Sequence, residues 1–301
     1  MSQNYHIPVL LKESVSALNI GKGGVYVDAT LGGGGHSREI LSGMDRNGKL
    51  VVFDRDADAI ANAPQDKRVT VVHGDFRFIA NYLRYNEIEG VDGILADLGV
   101  SSHQFDTGER GFSFRFDAPL DMRMNQLGAK SAKDIVNSYS KEDLKRILKL
   151  YGEVDNAGRV ADAICRSREK QEITTTFELN SSVESLLPKG FEHKILAKIY
   201  QSFRVELNGE MKSLEGFLKG AYRSLKPTGR LVVITYHSLE DRMVKNFIRS
   251  GNIEGDIQKD IYGKSDSHWK SVTKKPIVPT EEEISINTRA RSAKLRVAEK
   301  I

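Results

Sequence analysis

Short apolar runs alternate with helix-like spacing over the first hundred residues. The runs have the composition of β-strands and end at polar residues; they cover residues 25–27, 49–53, 69–73 and 91–96. Between the second and third runs, Ala57, Ile60 and Ala61 recur at the spacing of one helix face. Strands that alternate with helices pair in parallel, so this part of the chain predicts an α/β fold with a parallel sheet.

The pattern changes after the fourth run. Residues 98–124 are rich in glycine and phenylalanine, and a loop of this length inside a compact domain usually has a function. Residues 131–203 carry only helical spacing, which predicts a helical insertion. A fifth strand over residues 230–235 shows that the sheet resumes, and residues 284–286 predict a last short strand.

Four consecutive glycines, Gly32 to Gly35, follow the first strand and precede a helical pattern. Glycine has no Cβ, so the backbone can pass close to a ligand at such a turn. Asp54 ends the second strand, at the position where dinucleotide enzymes and methyltransferases hold a ribose. The order of strand, glycine turn and helix therefore predicts a nucleotide-type site beyond the carboxyl ends of the strands.

Two features favour S-adenosylmethionine as the ligand. Asp28 stands directly before the glycine turn, where it would repel a pyrophosphate and attract an ammonium group. The glycines also depart from the dinucleotide pattern, because the third glycine that packs the helix is replaced by a continuous run. A glycine turn without a ligand stays open as an alternative. Phe76, after the third strand, either stacks on adenine or is a core aromatic.

Composition adds few constraints. The 301 residues are 39% hydrophobic and 29% charged, as in ordinary globular proteins, and the net charge of +4 is compatible with RNA binding. No apolar run approaches the length of a membrane span, and the N-terminus lacks the layout of a secretion signal. Cys165 is the single cysteine, which points to a reducing, cytoplasmic compartment and to a packed small side chain. The seven histidines show no metal-ligand spacing, so no metal is predicted.

Several stretches together resemble one family. They are His6–Leu11, Asp28–His36, Asp97–Ser102, Arg110–Phe114, Leu120–Met124, Tyr151–Glu153, His237–Arg242 and Arg289–Arg296. With these stretches the chain resembles the bacterial small-subunit ribosomal RNA cytosine-N4 methyltransferases, the RsmH or MraW family, from His6 to the C-terminus. Residues 97–124 and 237–242 are the most specific parts of the match, whereas residues 194–204 follow the family pattern only loosely.

The resemblance implies a Rossmann-like class I S-adenosylmethionine-dependent methyltransferase sheet with an all-helical insertion domain. The expected activity is N4-methylation of one cytidine in the decoding region of 16S ribosomal RNA, with the small ribosomal subunit as partner. The expected domains are residues 1–124 as the first part of the methyltransferase domain, 125–205 as the helical substrate domain, and 206–301 as the second part with a basic tail. Oligomeric state is left open, a homodimer included.

The resemblance also implies a set of cofactor-binding residues. They match the family at Gly34, Gly35, His36, Asp54, Phe76, Asp97 and Gln104. The predicted fold by itself also assigns the glycines and the residues at the strand ends to the site. His36 and Gln104 are assigned by the resemblance alone.

Asp97 and His237 are the candidate catalytic residues. Cytosine's exocyclic amine is a poor nucleophile, and an acceptor for its N–H would localise the lone pair and take the proton. Asp97, at the end of the fourth strand, could serve the amine, the cofactor or both; the alternative is a turn cap. His237, at the end of the fifth strand, could accept a proton or contact RNA, or instead cap the next helix or bond Glu240.

The target base must leave the RNA stack to react, and it would then lie against aromatic faces. Phe112, Phe114 and Tyr236 are the candidates, with ordinary core packing as the alternative. Arg242 could contact a phosphate or form a salt bridge.

The C-terminal tail is basic, with Arg289, Arg291, Lys294 and Arg296 opposed by few acids. These side chains could contact RNA phosphates. In the alternative, Leu295 and Val297 dock the tail and the arginines pair internally. Two further classes stay open: a methyltransferase for a small molecule or protein, which the long insertion disfavours, and an RNA-binding module without catalysis, which the glycine turn and Asp54 disfavour.

Overall fold

The computed structural model describes residues 8–101, 104–105, 107–257 and 268–301. The chain forms two compact units: Met1–Gly99 with Met211–Ile301, and Val100–Glu210. The motif residues His6, Ile7 and Ser102 lie outside the described residues.

A seven-stranded sheet forms the centre of the first unit. Its order is β3-β2-β1-β4-β5-β7-β6; β1 to β5 are parallel, and β7 runs antiparallel to both of its neighbours. The strands are β1 Val25–Asp28, β2 Lys49–Asp54, β3 Val69–His73, β4 Val91–Asp97, β5 Leu225–Thr235, β6 Trp269–Ser271 and β7 Lys294–Lys300. The predicted α/β fold with a Rossmann-like parallel sheet is confirmed.

The central strands are apolar because both faces of the sheet are covered. In β2, Leu50 and Phe53 are fully buried, as are Ile94 and Leu95 in β4. Alternate residues of these strands belong to two hydrophobic clusters, one on each face. This two-sided burial explains why the strands read as continuous apolar runs in the sequence.

Helices cover both faces of this sheet. They are α1 Leu11–Ala17, α2 Gly35–Gly43, α3 Ala57–Ile60, α4 Ile79–Tyr85, α10 Glu210–Ser224, α11 Ser238–Ser250 and α12 Glu281–Ile286, with 3-10 turns at Phe76–Phe78 and Thr288–Ser292. In the part of the chain that the structure describes, no helix is long and apolar enough to cross a membrane.

The second unit is helical. Its helices are α5 Ala132–Ser138, α6 Lys141–Leu150, α7 Ala157–Lys170, α8 Thr176–Val183 and α9 Glu192–Asn208, with 3-10 turns at Gly108–Arg110 and Glu184–Leu186. Ser140 caps α6 by accepting a hydrogen bond from the Asp143 amide, as its sequence suggests. The loop contributes Phe112, Leu120 and Met122 to this unit's core. The domain boundaries at 124/125 and 205/206 stay a prediction.

The predicted strand over residues 284–286 is wrong. These residues end helix α12, and the side chain of Thr280 caps its start by accepting from the Glu283 amide. Three glutamates follow the cap, where a helix N-terminus favours negative charge. Ile286, at the end of this helix, is exposed, so the apolar residues here do not mark a buried strand.

The last strand is instead β7, within the basic tail. Leu295 and Val297 are buried in the hydrophobic cluster on one face of the sheet, while Arg296 between them lies on the other face. Arg296 donates two hydrogen bonds to Asp241, at 2.7 and 3.1 Å. Burial alone would raise the pKa of Asp241, but the hydrogen bond and charge of Arg296 hold that pKa below its usual value.

Two lysines of β7 are also engaged within the protein. Lys294 lies 3.5 Å from Asp241, and Lys300 donates to the carbonyl oxygens of Tyr222 and Leu225. These contacts support the alternative in which the tail docks on the sheet. Arg291, in the turn before β7, is exposed.

Replacing Arg296 with glutamine should lower the free energy of unfolding by about 1.5–3 kcal/mol, the usual contribution of a hydrogen bond to a charged group. The resemblance implies RNA binding, and the salt dependence of that binding should stay as in the wild type. Thermal unfolding and filter binding at several salt concentrations measure the two effects. Arg291→Gln is the matched control and should leave stability unchanged. A normal melting temperature with a flatter salt dependence in Arg296→Gln would show that this arginine binds phosphate instead.

Candidate active site

Three aspartates end neighbouring strands at one edge of the sheet. Asp28 ends β1, Asp54 ends β2 and Asp97 ends β4. Asp28 pairs with Val52 of β2 and with Leu95 of β4. Asp54 and Asp97 each follow these partners by two residues, so they lie on either side of Asp28 and slightly beyond it. Because the carboxyl ends of parallel strands meet at this edge, the three acidic side chains line it together.

Asp28 is fully buried. It accepts a hydrogen bond of 2.5 Å from the Ser37 hydroxyl and one of 3.1 Å from the Thr30 amide. Burial raises the pKa of Asp28 to about 7, although both hydrogen bonds oppose the rise. This carboxylate therefore holds the glycine turn against helix α2.

The glycine turn is shaped by backbone that favours glycine. Gly32 and Gly34 have φ of 50° and 75°, in the left-handed region. Gly34 precedes α2, which begins at Gly35, and a Cβ on Gly35 would collide with the ring of Pro8. The N-terminus of α2 therefore directly follows the glycine turn after β1, a position that suits an anionic group.

Asp54 ties the end of β2 to this turn. Its two carboxylate oxygens accept hydrogen bonds of 2.9 Å from the amides of Gly32 and Asp56. Burial raises the pKa of Asp54 above its ordinary value, and the two amides oppose that rise. An ionised carboxylate has about four acceptor positions, so two remain for hydroxyl groups of a ligand.

Asp97 is held from two sides. Its amide donates to the Thr30 hydroxyl at 2.7 Å, and its Oδ1 accepts from the Tyr236 hydroxyl at 2.7 Å. Its side chain keeps 23% of its surface exposed. Asp97 therefore has one oxygen fixed by tyrosine and a second, Oδ2, turned to other neighbours.

Burial raises the pKa of Asp97 to about 7. The Tyr236 hydrogen bond opposes this rise, and the negative charges of Asp28 and Glu240 add to it. A carboxylate with this pKa is a far stronger base than an exposed aspartate and still loses its proton near neutral pH.

His36 faces Asp97 as a neutral ring. Its Nε2 lies 3.2 Å from the Val9 carbonyl oxygen, which can only accept, so Nε2 carries the proton. Burial lowers the pKa of His36 to about 4. Its Nδ1 is 3.9 Å from Asp97 Oδ2, and this contact is not an ion pair at neutral pH.

Tyr236 contacts Asp97 and Gly99, and its predicted role as a stacking surface stays a prediction. Its hydroxyl bonds Asp97, and its ring lies so close to Gly99 that a Cβ there would be 3.3 Å away. Burial raises the pKa of Tyr236 well above its usual value, so it stays a hydrogen-bond donor. The geometry supports a role in orienting Asp97.

His237 caps helix α11. Its Nδ1 accepts from the Glu240 amide at 3.4 Å, and its Nε2 is 3.1 Å from Glu240 Oε1. This is the capping arrangement that the sequence left open beside a catalytic role. Arg242 lies one turn later on the exposed side of α11.

The remaining candidates make contacts within their own units. Phe76 is half-buried and meets Phe217 edge-on, with 5.1 Å between ring centres. Gln104 belongs to the second unit, where it is buried and exchanges hydrogen bonds with Ser101. Phe112 is 4% exposed, which supports the core-packing alternative for this residue.

Phe114 is half-buried between two other rings of the second unit. It contacts Tyr200 edge-on at 5.7 Å, and the His193 ring at 5.6 Å. The first unit thus brings together Gly34, Gly35, His36, Asp54, Asp97 and Tyr236. The sequence analysis missed two hydroxyl groups beside the glycine run: that of Thr30, which accepts from the Asp97 amide, and that of Ser37, which donates to Asp28.

Comparison with known proteins identifies the family. The sequence profile of the MraW methylase family matches residues 3–301. The chain belongs to the MraW methylase family. This confirms the predicted resemblance over nearly the whole sequence.

Three relatives of this family member share the name Ribosomal RNA small subunit methyltransferase H. The protein of Phocaeicola vulgatus is 53% identical over 298 residues, which are 99% of this chain and 98% of the relative. The Bacteroides thetaiotaomicron protein is 53% identical over 296 residues, 98% of this chain and 97% of the relative. The Flavobacterium johnsoniae protein is 53% identical over 300 residues, 100% of this chain and 99% of the relative.

S-adenosylmethionine is the cofactor of this methylase, and the residues at the strand ends fit it. Asp54 and Asp97, which are partly exposed, can supply the negative charge that a sulfonium and an ammonium group need, whereas Asp28 is fully buried and holds the turn. Asp54 has acceptor positions for two ribose hydroxyls, and the first amides of α2 suit the cofactor's carboxylate.

Replacing Asp54 with asparagine should weaken cofactor binding about tenfold or more. The amide group offers only one acceptor oxygen, so it cannot serve the two backbone amides and the ribose together. Titration calorimetry measures the dissociation constant, and thermal unfolding without ligand measures any loosening of the turn.

Asp45→Asn is the matched control. Asp45 also accepts hydrogen bonds from backbone amides, those of Gly23 and Gly48, but it precedes β2 at the opposite end of that strand. This variant should lose a similar amount of stability and bind the cofactor normally. Equal affinity in Asp54→Asn and wild type would contradict the ribose assignment.

Proposed function

We propose that this protein transfers a methyl group from S-adenosylmethionine to the exocyclic amine of a cytidine in the decoding region of 16S ribosomal RNA. The observation that carries the proposal is the position of Asp97, which ends β4, is partly exposed and has its Oδ1 held by the Tyr236 hydroxyl. The name of the relatives supports ribosomal RNA of the small subunit as the substrate. The site of action is then the cytoplasm, with the ribosome.

When bound, the cofactor supplies a methyl group on a positively charged sulfur. Asp97 Oδ2 accepts a hydrogen bond from the amine N–H, which draws the nitrogen lone pair out of conjugation with the ring. As the N–C bond forms and the bond between the methyl carbon and the cofactor's sulfur breaks, with its electron pair left on the now neutral sulfur, Asp97 takes the amine proton. A pKa near 7 suits this step, because the carboxylate is present at neutral pH and still holds a proton well.

Other residues of the site position Asp97. Tyr236 fixes Oδ1 by its hydrogen bond and leaves Oδ2 for the amine. His237 caps α11 together with Glu240, whose carboxylate also accepts from the Tyr236 amide at 2.8 Å. We therefore assign the proton to Asp97 and give His237 the role of a positioning residue at the start of α11.

The variant Asp97→Asn should lower turnover about a hundredfold or more, since a positioned general base contributes about 10²–10⁴. Asparagine keeps the shape of the side chain and loses the charge. Cofactor affinity must be measured on the same variant, because Asp97 also lies beside the cofactor residues. A loss of activity that merely follows a loss of cofactor affinity would make Asp97 a cofactor ligand and not a catalyst.

Asp92→Asn is the matched control for this variant. Asp92 lies near the start of β4, where it accepts from the Val25 amide and pairs with Lys226. This variant should keep full turnover, because it changes an acid at the other end of the same strand.

The reaction itself is tested by mass mapping of the product nucleoside after incubation with small subunits that lack the modification. The proposal expects N4-methylcytidine. A product of 5-methylcytidine would contradict it, because transfer to carbon 5 normally needs a cysteine nucleophile. Cys165 is half-buried in helix α7 and packs against the core of the second unit, so Cys165→Ala should be nearly silent.

A further inference from the structure

Three phenylalanines of the second unit are exposed. Phe116 has 53% of its surface exposed, Phe177 has 46% and Phe191 has 60%. Other phenylalanines of the same unit, Phe112 and Phe203, are buried in its core. Leaving three large apolar rings in water is unfavourable, so their exposure calls for a reason beyond folding. These three residues are called the phenylalanine surface below.

Hydrogen bonds hold Phe116 beside Phe177. The Thr176 hydroxyl donates to the Phe116 carbonyl oxygen at 2.6 Å and accepts from the Ala118 amide at 3.1 Å. The Phe177 amide donates to Asp117 Oδ1 at 3.3 Å. The loop is thereby fixed against the start of helix α8, and the two rings belong to adjacent, rigid stretches of backbone.

Further contacts connect this loop to Phe191. Asn180 of α8 donates to the Phe114 carbonyl oxygen at 3.1 Å. The Phe114 ring lies against His193, in the first turn of helix α9, and Phe191 directly precedes that helix. The loop, the helix α8 and the start of α9 therefore form one face of the helical unit.

Cations accompany the three rings in the sequence and are exposed. Arg115 precedes Phe116, Lys189 precedes Phe191 by two residues, and Lys194 follows in α9. Two acids also lie in these stretches: Asp117 accepts from the Phe177 amide, and Glu192 follows Phe191 in the first turn of α9. Exposed aromatic rings with cations beside them are the combination with which proteins bind single-stranded nucleic acid, because bases stack on rings and phosphates attract cations.

We propose that the phenylalanine surface stacks unpaired bases of the small-subunit ribosomal RNA. This inference rests on the proposed function and adds a second place of RNA contact, on the helical unit. It assigns the stacking role to Phe116, Phe177 and Phe191, which the sequence pattern did not single out. RNA with unpaired bases is the occupant, since a double helix keeps its base faces covered.

The test is the double variant Phe116→Ala with Phe177→Ala. Affinity for a 16S RNA fragment that contains the decoding region should fall about tenfold or more, because each stacked base contributes substantially to binding. KM for RNA should rise while kcat at saturating RNA stays near the wild-type value. The melting temperature should be unchanged, since both rings are exposed.

Two further variants sharpen the test. Tyr85→Ala is the matched control: Tyr85 is 86% exposed at the end of helix α4, in the first unit, and its loss should leave RNA binding unchanged. Phe116→Trp should keep the affinity, and its fluorescence should be quenched when RNA binds. The one natural tryptophan, Trp269, is 3% exposed and provides an internal reference.

The outcomes separate this inference from the proposed function. Wild-type protein that neither binds nor methylates the RNA would overturn the proposed function itself. Wild-type activity with normal RNA affinity in the double variant would overturn the phenylalanine surface alone. Two other results would also overturn it: weaker binding to intact small subunits with unchanged binding to protein-free RNA, which indicates a protein partner, or a change of oligomeric state, which indicates a second copy of this chain.

Discussion

Burial of carboxylates at adjacent strand ends is the constraint on which the rest of the first unit depends. Asp28, Asp54 and Asp97 are brought together by the strand order β2-β1-β4, and desolvation raises the pKa of each. Such a cluster is tolerated because hydroxyls and backbone amides satisfy its oxygens. A bound cationic cofactor reduces the remaining repulsion between the buried acids, so this repulsion contributes to the affinity for the cofactor.

The fifth strand transmits this arrangement to the C-terminus. Asp97 lies opposite Ile234 of β5, and Ile234 lies opposite Leu295 of β7. Tyr236 follows β5 directly, so the position of its hydroxyl depends on the register of that strand. The docked basic tail therefore packs on the side of β5 opposite to Asp97. It stabilises β5 through this packing and through the Arg296–Asp241 ion pair.

Local patterns were sufficient for the parallel sheet and for the glycine turn with Asp54 and Asp97, because buried strands and strand-end acids are visible in a short window. They failed for β7, where Leu295 and Val297 alternate with cations and only pairing with β5 makes them a strand. They also failed for residues 284–286, where a helix cap outweighs two isoleucines. The tyrosine–aspartate contact joins residues 139 positions apart, and the exposure of Phe116 depends on helix α8, so neither was predictable from spacing.

The central claim is that Asp97 is a carboxylate kept basic by burial, beside the charge of the cofactor. The most direct measurement is the number of protons released on binding, from calorimetry at pH 7 in buffers of different ionisation enthalpy. A group with a pKa of about 7 is half protonated there, so S-adenosylmethionine should displace on the order of half a proton from Asp97 by stabilising the carboxylate. Asp28 has a similar pKa and adds its own share to the release. S-adenosylhomocysteine, without the sulfonium charge, should displace much less, and Asp97→Asn should reduce the difference to the share of Asp28. Equal proton release by the two ligands, or an undiminished difference in Asp97→Asn, would contradict the account.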